Sequence, residues 1–289
     1  MPLAVFSQAD GARRLGKVIG DQVIDLGIAA PGLPGDVAGF LAAGEPALAA
    51  YRAVGPDSPG ALPLSAVRLH APVPNPEKFL AIGMNYSDHG AEAKELGLDV
   101  PKWQVWFNKQ VSCINGPYDD VVAPRVSEKL DYEAELAVVI GKTCRYLTPE
   151  EAPSVVGGYM VANDVSARDW QMRTGTMTLG KSFDTHGPIG PWLTLAEEVA
   201  DPHDLDLRML VNGEERQHAN TSQLVHDIWA QISYLSQVMT LRPGDILATG
   251  TPAGVGVARK PPVFLQPGDV MRVEIAGLGH IENRVIADR

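Results

Sequence analysis

Between Asp131 and Ile140, acids and apolar residues alternate and then give way to a purely apolar run. The segment reads as a strand. Side chains on a strand alternate between faces with period 2. Glu133 and Glu135 therefore point one way, and Ala134, Leu136, Val138 and Ile140 the other. A second apolar run, 155–162, ends just before Asp164. Short strands are expected at 3–7, 15–19 and 22–26, then an alanine-rich helix over 36–53. A loop rich in Pro, Gly and Ser runs from Gly55 to about Pro76. It predicts a boundary between a small N-terminal α/β domain, 1–70, and a main domain, 71–289. The main domain opens with an apolar strand at 79–83. Residues 87–96 suit a short helix stopped by Gly97. Asn212-Gly213 is a hairpin turn signal, and the Pro-Gly-Asp turns at 243–245 and 267–269 lead into apolar strands. One long helix is predicted over 221–240, with Leu224, Ile228, Ile232, Leu235 and Met239 on one face. The pattern as a whole predicts an α+β, mainly β main domain.

Composition narrows the function classes. The chain has 289 residues, 45% of them apolar, enough for a sizeable core. The formal net charge of −11 comes with no basic stripe, which argues against a nucleic-acid partner. Cys113 and Cys144 sit in no metal-binding spacing and suit reduced thiols in a cytoplasmic protein. The N-terminal residues lack a basic signal-peptide region, and no apolar run approaches the roughly 20 residues of a membrane helix. A cytoplasmic protein without membrane contact is the expectation.

The acids on the 131–140 strand carry the first candidate chemistry. Strands disfavour Glu, and two acids side by side repel each other. A divalent cation removes that conflict. With Asp164, the set Glu133, Glu135 and Asp164 offers only oxygen ligands, which suits Mg²⁺ or Mn²⁺. The alternative is a solvated strand face. His89 and Glu92 stand at i and i+3 on the expected helix, where a carboxylate can orient an imidazole as a base. A surface pair is the alternative there. Arg168 and Gln171 follow Asp164 at i+4 and i+7. A guanidinium there could grip a substrate carboxylate, and a carboxamide could donate to an oxyanion. Otherwise Arg168 holds Asp164 or Asp169 at a helix start.

The chain also carries two glycine-rich strings. Gly175 to Ser182 matches the phosphate-loop pattern, but it lacks a preceding core strand and a following helix. Prolines and glycines in 183–191 break any helix there. No nucleotide is expected; Lys181 remains as a cation near the acids. The loop 248–256, with Gly250 and Thr251, lets backbone approach a ligand closely or is simply a tight turn. Trp103, Trp106 and Phe107 could wall an apolar pocket or belong to the core.

Together these segments resemble the fumarylacetoacetate hydrolase family. The order and spacing of 83–92, Glu133-x-Glu135, Asp164 to Gln171, 180–183 and 250–256 match across about residues 75–289. The resemblance implies a β-roll main domain, usually a homodimer. It implies one Mg²⁺ or Mn²⁺ on Glu133, Glu135 and Asp164. It implies His89 and Glu92 as the catalytic dyad of the acylpyruvate hydrolase branch, with Lys181 and Gln171 as further catalytic residues. Arg168, Thr251 and Gly250 would meet the substrate, a small 2-oxo acid. The stretch 105–109 offers no clear acid for the fourth carboxylate ligand of the fumarylacetoacetate cleavers.

The expected reaction is hydrolysis of a C–C bond in a 2,4-diketo acid, giving pyruvate or a substituted pyruvate and a carboxylic acid. His89 would activate water, and Gln171 and Lys181 would stabilise the oxyanion. The alternatives share the same enolate chemistry: decarboxylation or keto–enol isomerisation of an oxaloacetate-like acid, or cleavage of a 2,4-diketo-3-deoxy sugar acid. A metal-binding protein without turnover would need neither dyad nor lysine.

Overall fold

The computed structural model describes residues 1–9, 11–88, 92 and 102–288. At its centre lies the strand Ala134–Ile140, buried along its whole length. It pairs antiparallel with Val156–Asn163 on one side and Ile246–Ala248 on the other. The alternation read from the sequence divides two cores. Ala134, Leu136, Val138 and Ile140 enter one; Ala137 and Val139 enter the other.

This strand belongs to a 12-stranded sheet. Beyond Val156–Asn163 comes Gly187–Leu195, and then the N-terminal strand Leu3–Ser7, paired at Leu3 and Leu193. The strands Arg14–Ile19, Gln22–Asp25 and Ala61–Pro63 extend that edge. Leu3, Val5 and Phe40 share a core with Met160, Ala162 and Leu193, so residues 1–70 continue both the sheet and the packing of the rest. Beyond Ile246–Ala248 comes Phe79–Gly83, parallel to it, and then Val105–Lys109.

A 5-stranded sheet covers the first core. Its strands Asp206–Val211, Val270–Ile275 and Gly279–Ala287 place Leu207, Met209, Val273 and Ile281 against Leu136 and Val138. The Asn212-Gly213 turn joins Asp206–Val211 to Glu214–Asn220, with both residues at positive φ as that hairpin requires. The Pro-Gly-Asp turns lead into Ile246–Ala248 and Val270–Ile275.

Two helices differ from their sequence pattern. The segment 36–53 forms Val37–Ala42 and Glu45–Ala53, interrupted at Gly44 with φ +63. The expected helix over 221–240 spans only Ile228–Val238. Leu224 instead bridges Tyr86, while the N–H groups of Val225 and His226 donate to Asn85. Those amides are no longer available to a longer helix. The Asp227 side chain then caps the shorter one through Ala230 N. In the expected 87–96 helix, Ser87, Asp88 and Glu92 are helical; 89–91 and 93–101 lie outside the described residues.

Candidate active site

Glu135 of the central strand and Glu133, which stands just before that strand rather than within it, meet Asp164 at one end of the sheet. Asn163 Oδ1 accepts from Glu133 N at 3.0 Å, and Glu133 O accepts from Asp164 N at 2.9 Å. These bonds bring the two chain segments into register. One carboxylate oxygen from each of Glu133, Glu135 and Asp164 lies within 4.8 Å of the others. Their exposures are 5%, 1% and 1%, so they form no solvated strand face.

Buried acids need cations. Lys181 Nζ donates to Glu133 at 2.6 Å and to Asp164 at 2.7 Å. Lys109 Nζ donates to the other Asp164 oxygen at 2.6 Å and to the Lys181 carbonyl. Arg168 reaches Glu133 at 2.6 Å and Asp131 at 2.8 Å, and its Nη1 also meets Gln171 Oε1 at 2.9 Å. Arg168 therefore holds neither Asp164 nor Asp169 among the hydrogen bonds of the described residues. Glu135 accepts from Gly250 N at 2.8 Å. Burial, then the charges of Asp164 and Glu133, push its carboxyl well above the usual range, against the pull of Lys181. That environment calls for more positive charge than the lysines supply. A divalent cation on three oxygen donors fits the demand.

The glycine-rich loop is stapled to carboxylates through its backbone. Gly250 N goes to Glu135, Gly254 N to Glu92 at 2.9 Å, and Gly256 N and Val257 N to Asp131 at 2.7 and 2.9 Å. Thr251 Oγ1 accepts from Gln217 Nε2 at 2.8 Å. Gly180 lies so close to Gln171 that a Cβ there would meet its backbone N at 2.1 Å. This contact brings Lys181 under the short helix Arg168–Gln171. The phosphate-loop-like string forms only a 3₁₀ turn, Thr178–Lys181, with no strand before it.

A cavity of about 340 Å³ opens over this assembly. Glu92, Glu133, Arg168, Gln171, Lys181 and Thr251 line its polar side, and Ile82, Val105, Phe107, Met177 and Val257 its apolar side. The Arg168 guanidinium lines the cavity, and its Nη2, itself buried, has no hydrogen-bond partner among the described residues. A guanidinium in a cavity wall suits a ligand carboxylate. Gly250 does not reach the cavity wall; its N–H is spent on Glu135. His89 lies outside the described residues, and so does its pairing with Glu92. Of the three aromatics, Phe107 lines the cavity, Trp106 packs on the core, and Trp103 is exposed.

Three residues escaped the sequence reading. Asp131 shares strand parity with Glu133 and Glu135, a signal that was present. Lys109 ends an aromatic strand, and Gln217 sits in a polar hairpin strand; neither stands out from its surroundings.

His186 is also buried near this assembly, and burial pushes its imidazole down to about 4. Its Nε2 meets Val122 O at 3.0 Å. A lowered folded value means that the unfolded chain binds the extra proton first. Stability from this group is complete above the ordinary value of 6.5 and is lost as pH falls toward about 4. The full loss is roughly 3 kcal/mol. Urea unfolding of wild type and His186→Leu at pH 7 and 5 checks this. The variant should show the flatter acid limb, and equal slopes would contradict the assignment.

Fold and site together define an enzyme-type scaffold whose buried acids fit a divalent cation beside a small-molecule cavity. The family model described as fumarylacetoacetate (FAA) hydrolase C-terminal matches residues 78–286, and the chain belongs to the fumarylacetoacetate hydrolase family. Its members are enzymes. The Bos taurus oxaloacetate tautomerase FAHD2A, mitochondrial, is 48% identical over 269 residues, covering 92% of this chain and 85% of that protein. Maleylpyruvate hydrolase from Sphingobium sp. SYK-6, crystallised with manganese(II) and pyruvate, superimposes with TM-score 0.84 at 37% identity over all of both chains. A 5-carboxymethyl-2-hydroxymuconate delta-isomerase from Mycobacterium smegmatis gives TM-score 0.78 at 33% identity, also over all of both chains.

Proposed function

We propose that this protein is a metal-dependent enzyme that interconverts the keto and enol forms of oxaloacetate or a closely related 2-oxo dicarboxylate. The similarity to the tautomerase favours this over the diketo-acid hydrolysis expected from the sequence. The observation that carries it is a cavity lined by Glu133, Arg168 and Lys181 at a cluster of three cation-seeking acids. A 2-oxo dicarboxylate has a ketone and a carboxylate for the cation side and a second carboxylate for a guanidinium.

Glu133, Glu135 and Asp164 would hold Mg²⁺ or Mn²⁺. Bound there, the cation supplies Lewis acidity at the ketone oxygen and so acidifies the neighbouring C–H. Arg168 donates to a substrate carboxylate and fixes its orientation. Lys181 Nζ, already beside Glu133 and Asp164, donates to the oxygen that gains charge as the enolate forms. The His89–Glu92 dyad takes the C3 proton, and the C2 oxygen receives one in return. The apolar wall keeps bulk water from competing for these donors.

Acylpyruvate hydrolysis is the second reading, supported by the pyruvate-bound maleylpyruvate hydrolase. The test follows the loss of enol absorbance of oxaloacetate with Mg²⁺ or Mn²⁺ while pyruvate is measured in parallel. Accelerated enol decay without pyruvate is expected. Pyruvate from oxaloacetate would indicate decarboxylation instead. Pyruvate from acetylpyruvate, with no effect on the enol, would restore the hydrolase reading.

A further inference from the structure

We propose that Gln217 is a positioning residue that sets the Thr251 hydroxyl as a hydrogen-bond donor to the bound 2-oxo acid. The inference rests on the reading that this cavity takes such an acid. Gln217 lies on the strand Glu214–Asn220 of the smaller sheet and is 2% exposed. Its Oε1 accepts from Ala134 N at 3.0 Å, between Glu133 and Glu135. Its Nε2 donates to Thr251 Oγ1 at 2.8 Å and to Pro252 O at 2.8 Å.

The amide orientation follows from its partners. A backbone N–H can only donate and a backbone carbonyl can only accept. Ala134 N therefore takes the oxygen, and Pro252 O takes the nitrogen. The other amide hydrogen must go to Thr251. That hydroxyl then acts as acceptor toward Gln217, and its own proton is left for another group. Thr251 lines the cavity and donates to no described residue. One side chain thus ties the start of the central strand, between two of the acids, to the loop beside the ligand. The junction is tight. Gly254, with φ +104, lies so near Arg216 that a Cβ would meet its carbonyl oxygen at 2.1 Å.

Gln217→Glu keeps the shape and the acceptor for Ala134 N. It has no hydrogen for Thr251, so the hydroxyl turns to donate to the new carboxylate. A double-mutant cycle with Thr251→Val isolates this effect. The probe is oxalate, a planar chelating mimic of a 2-oxo acid enolate, titrated into Mn²⁺-loaded protein by calorimetry. Loss of one hydrogen bond to a charged ligand predicts about tenfold weaker binding for each single variant. The double variant should be no weaker than Thr251→Val alone, and Thr251→Ser should bind like wild type. Mn²⁺ affinity should not change in Gln217→Met, which adds no charge beside the acids.

An undiminished Gln217→Glu effect in the Thr251→Val background would overturn the proposal, because Gln217 would then act without the hydroxyl. Wild-type binding by Gln217→Glu would overturn it as well. If Gln217→Glu does not fold, Gln217→Met is read in the same cycle. Failure of both to fold would make Gln217 a support of the fold alone and would also overturn the assignment. Protein that binds oxalate but does not tautomerise oxaloacetate still answers this question, so the two readings fail separately.

Discussion

Lys181→Met is expected to cut turnover by orders of magnitude while tightening metal binding. The ammonium lies 2.6 Å from Glu133 and 2.7 Å from Asp164, with 1% of the residue exposed. Methionine fills similar space but removes the charge from between two buried carboxylates. Removing one partner of a buried ion pair typically costs 3–5 kcal/mol. The metal-free variant should unfold at distinctly lower urea than wild type. Added Mn²⁺ should recover more stability in the variant than in wild type, because the ion supplies the missing charge. Turnover should still fall by roughly 10²–10³, since an oriented donor to the developing enolate is lost. Urea unfolding with and without Mn²⁺, together with enol-decay rates, measures all three effects. A variant that keeps its rate would remove Lys181 from the chemistry. A variant whose Mn²⁺ affinity drops would show that the lysine orders the ligands rather than balancing them.

Glu135→Gln should do the opposite to the metal-free protein. The Glu135 carboxyl is held well above its usual range, first by burial and then by Asp164 and Glu133. A raised folded value means that the folded state keeps its proton longer than the unfolded chain. This group's contribution to stability therefore falls as pH rises above the ordinary value of 4.5. An amide carries no such penalty, so metal-free Glu135→Gln should be more stable than wild type at pH 8. It should lose metal affinity, because a neutral oxygen does not offset a divalent charge. Changes one shell further out typically cost 10–100-fold in affinity. For a direct ligand the loss should reach at least about 10². Activity should vanish in parallel, as it should for wild type dialysed against a chelator, and only the wild type should recover with micromolar Mn²⁺. Full activity in excess chelator would sink the metal reading outright.

These two variants probe parts of the site that were legible to different degrees. Glu133, Glu135 and Asp164 were visible as a group because acids at period 2 beside an apolar run demand an explanation. Lys181 was visible only as a cation nearby in sequence, and its position between two of the acids was not. The two segments meet because Gly180 closes onto Gln171, a contact made in space. Lys109 could not be read at all. It ends a strand that is aromatic or apolar apart from Asn108, and its partner Asp164 is far along the chain.

The same division runs through the fold. Local rules determined the central strand, its two-faced burial, the Asn-Gly hairpin and the Pro-Gly-Asp turns, because each depends on residues within one turn or one pleat. The long helix over 221–240 was overstated because its 3–4 spacing takes no account of Asn85. That side chain and backbone draw the Val225 and His226 amides out of any helix. The pairing of Leu3 with Leu193, which continues the N-terminal strands into the main sheet, also left no mark on local pattern. By itself the sequence determined which residue types could hold a cation and a 2-oxo acid, since charge and strand parity are carried residue by residue. Only the tertiary structure decided which cations balance those acids, and that a glutamine from the second sheet orients Thr251, because a hydrogen bond between distant segments exists only once packing brings donor and acceptor together.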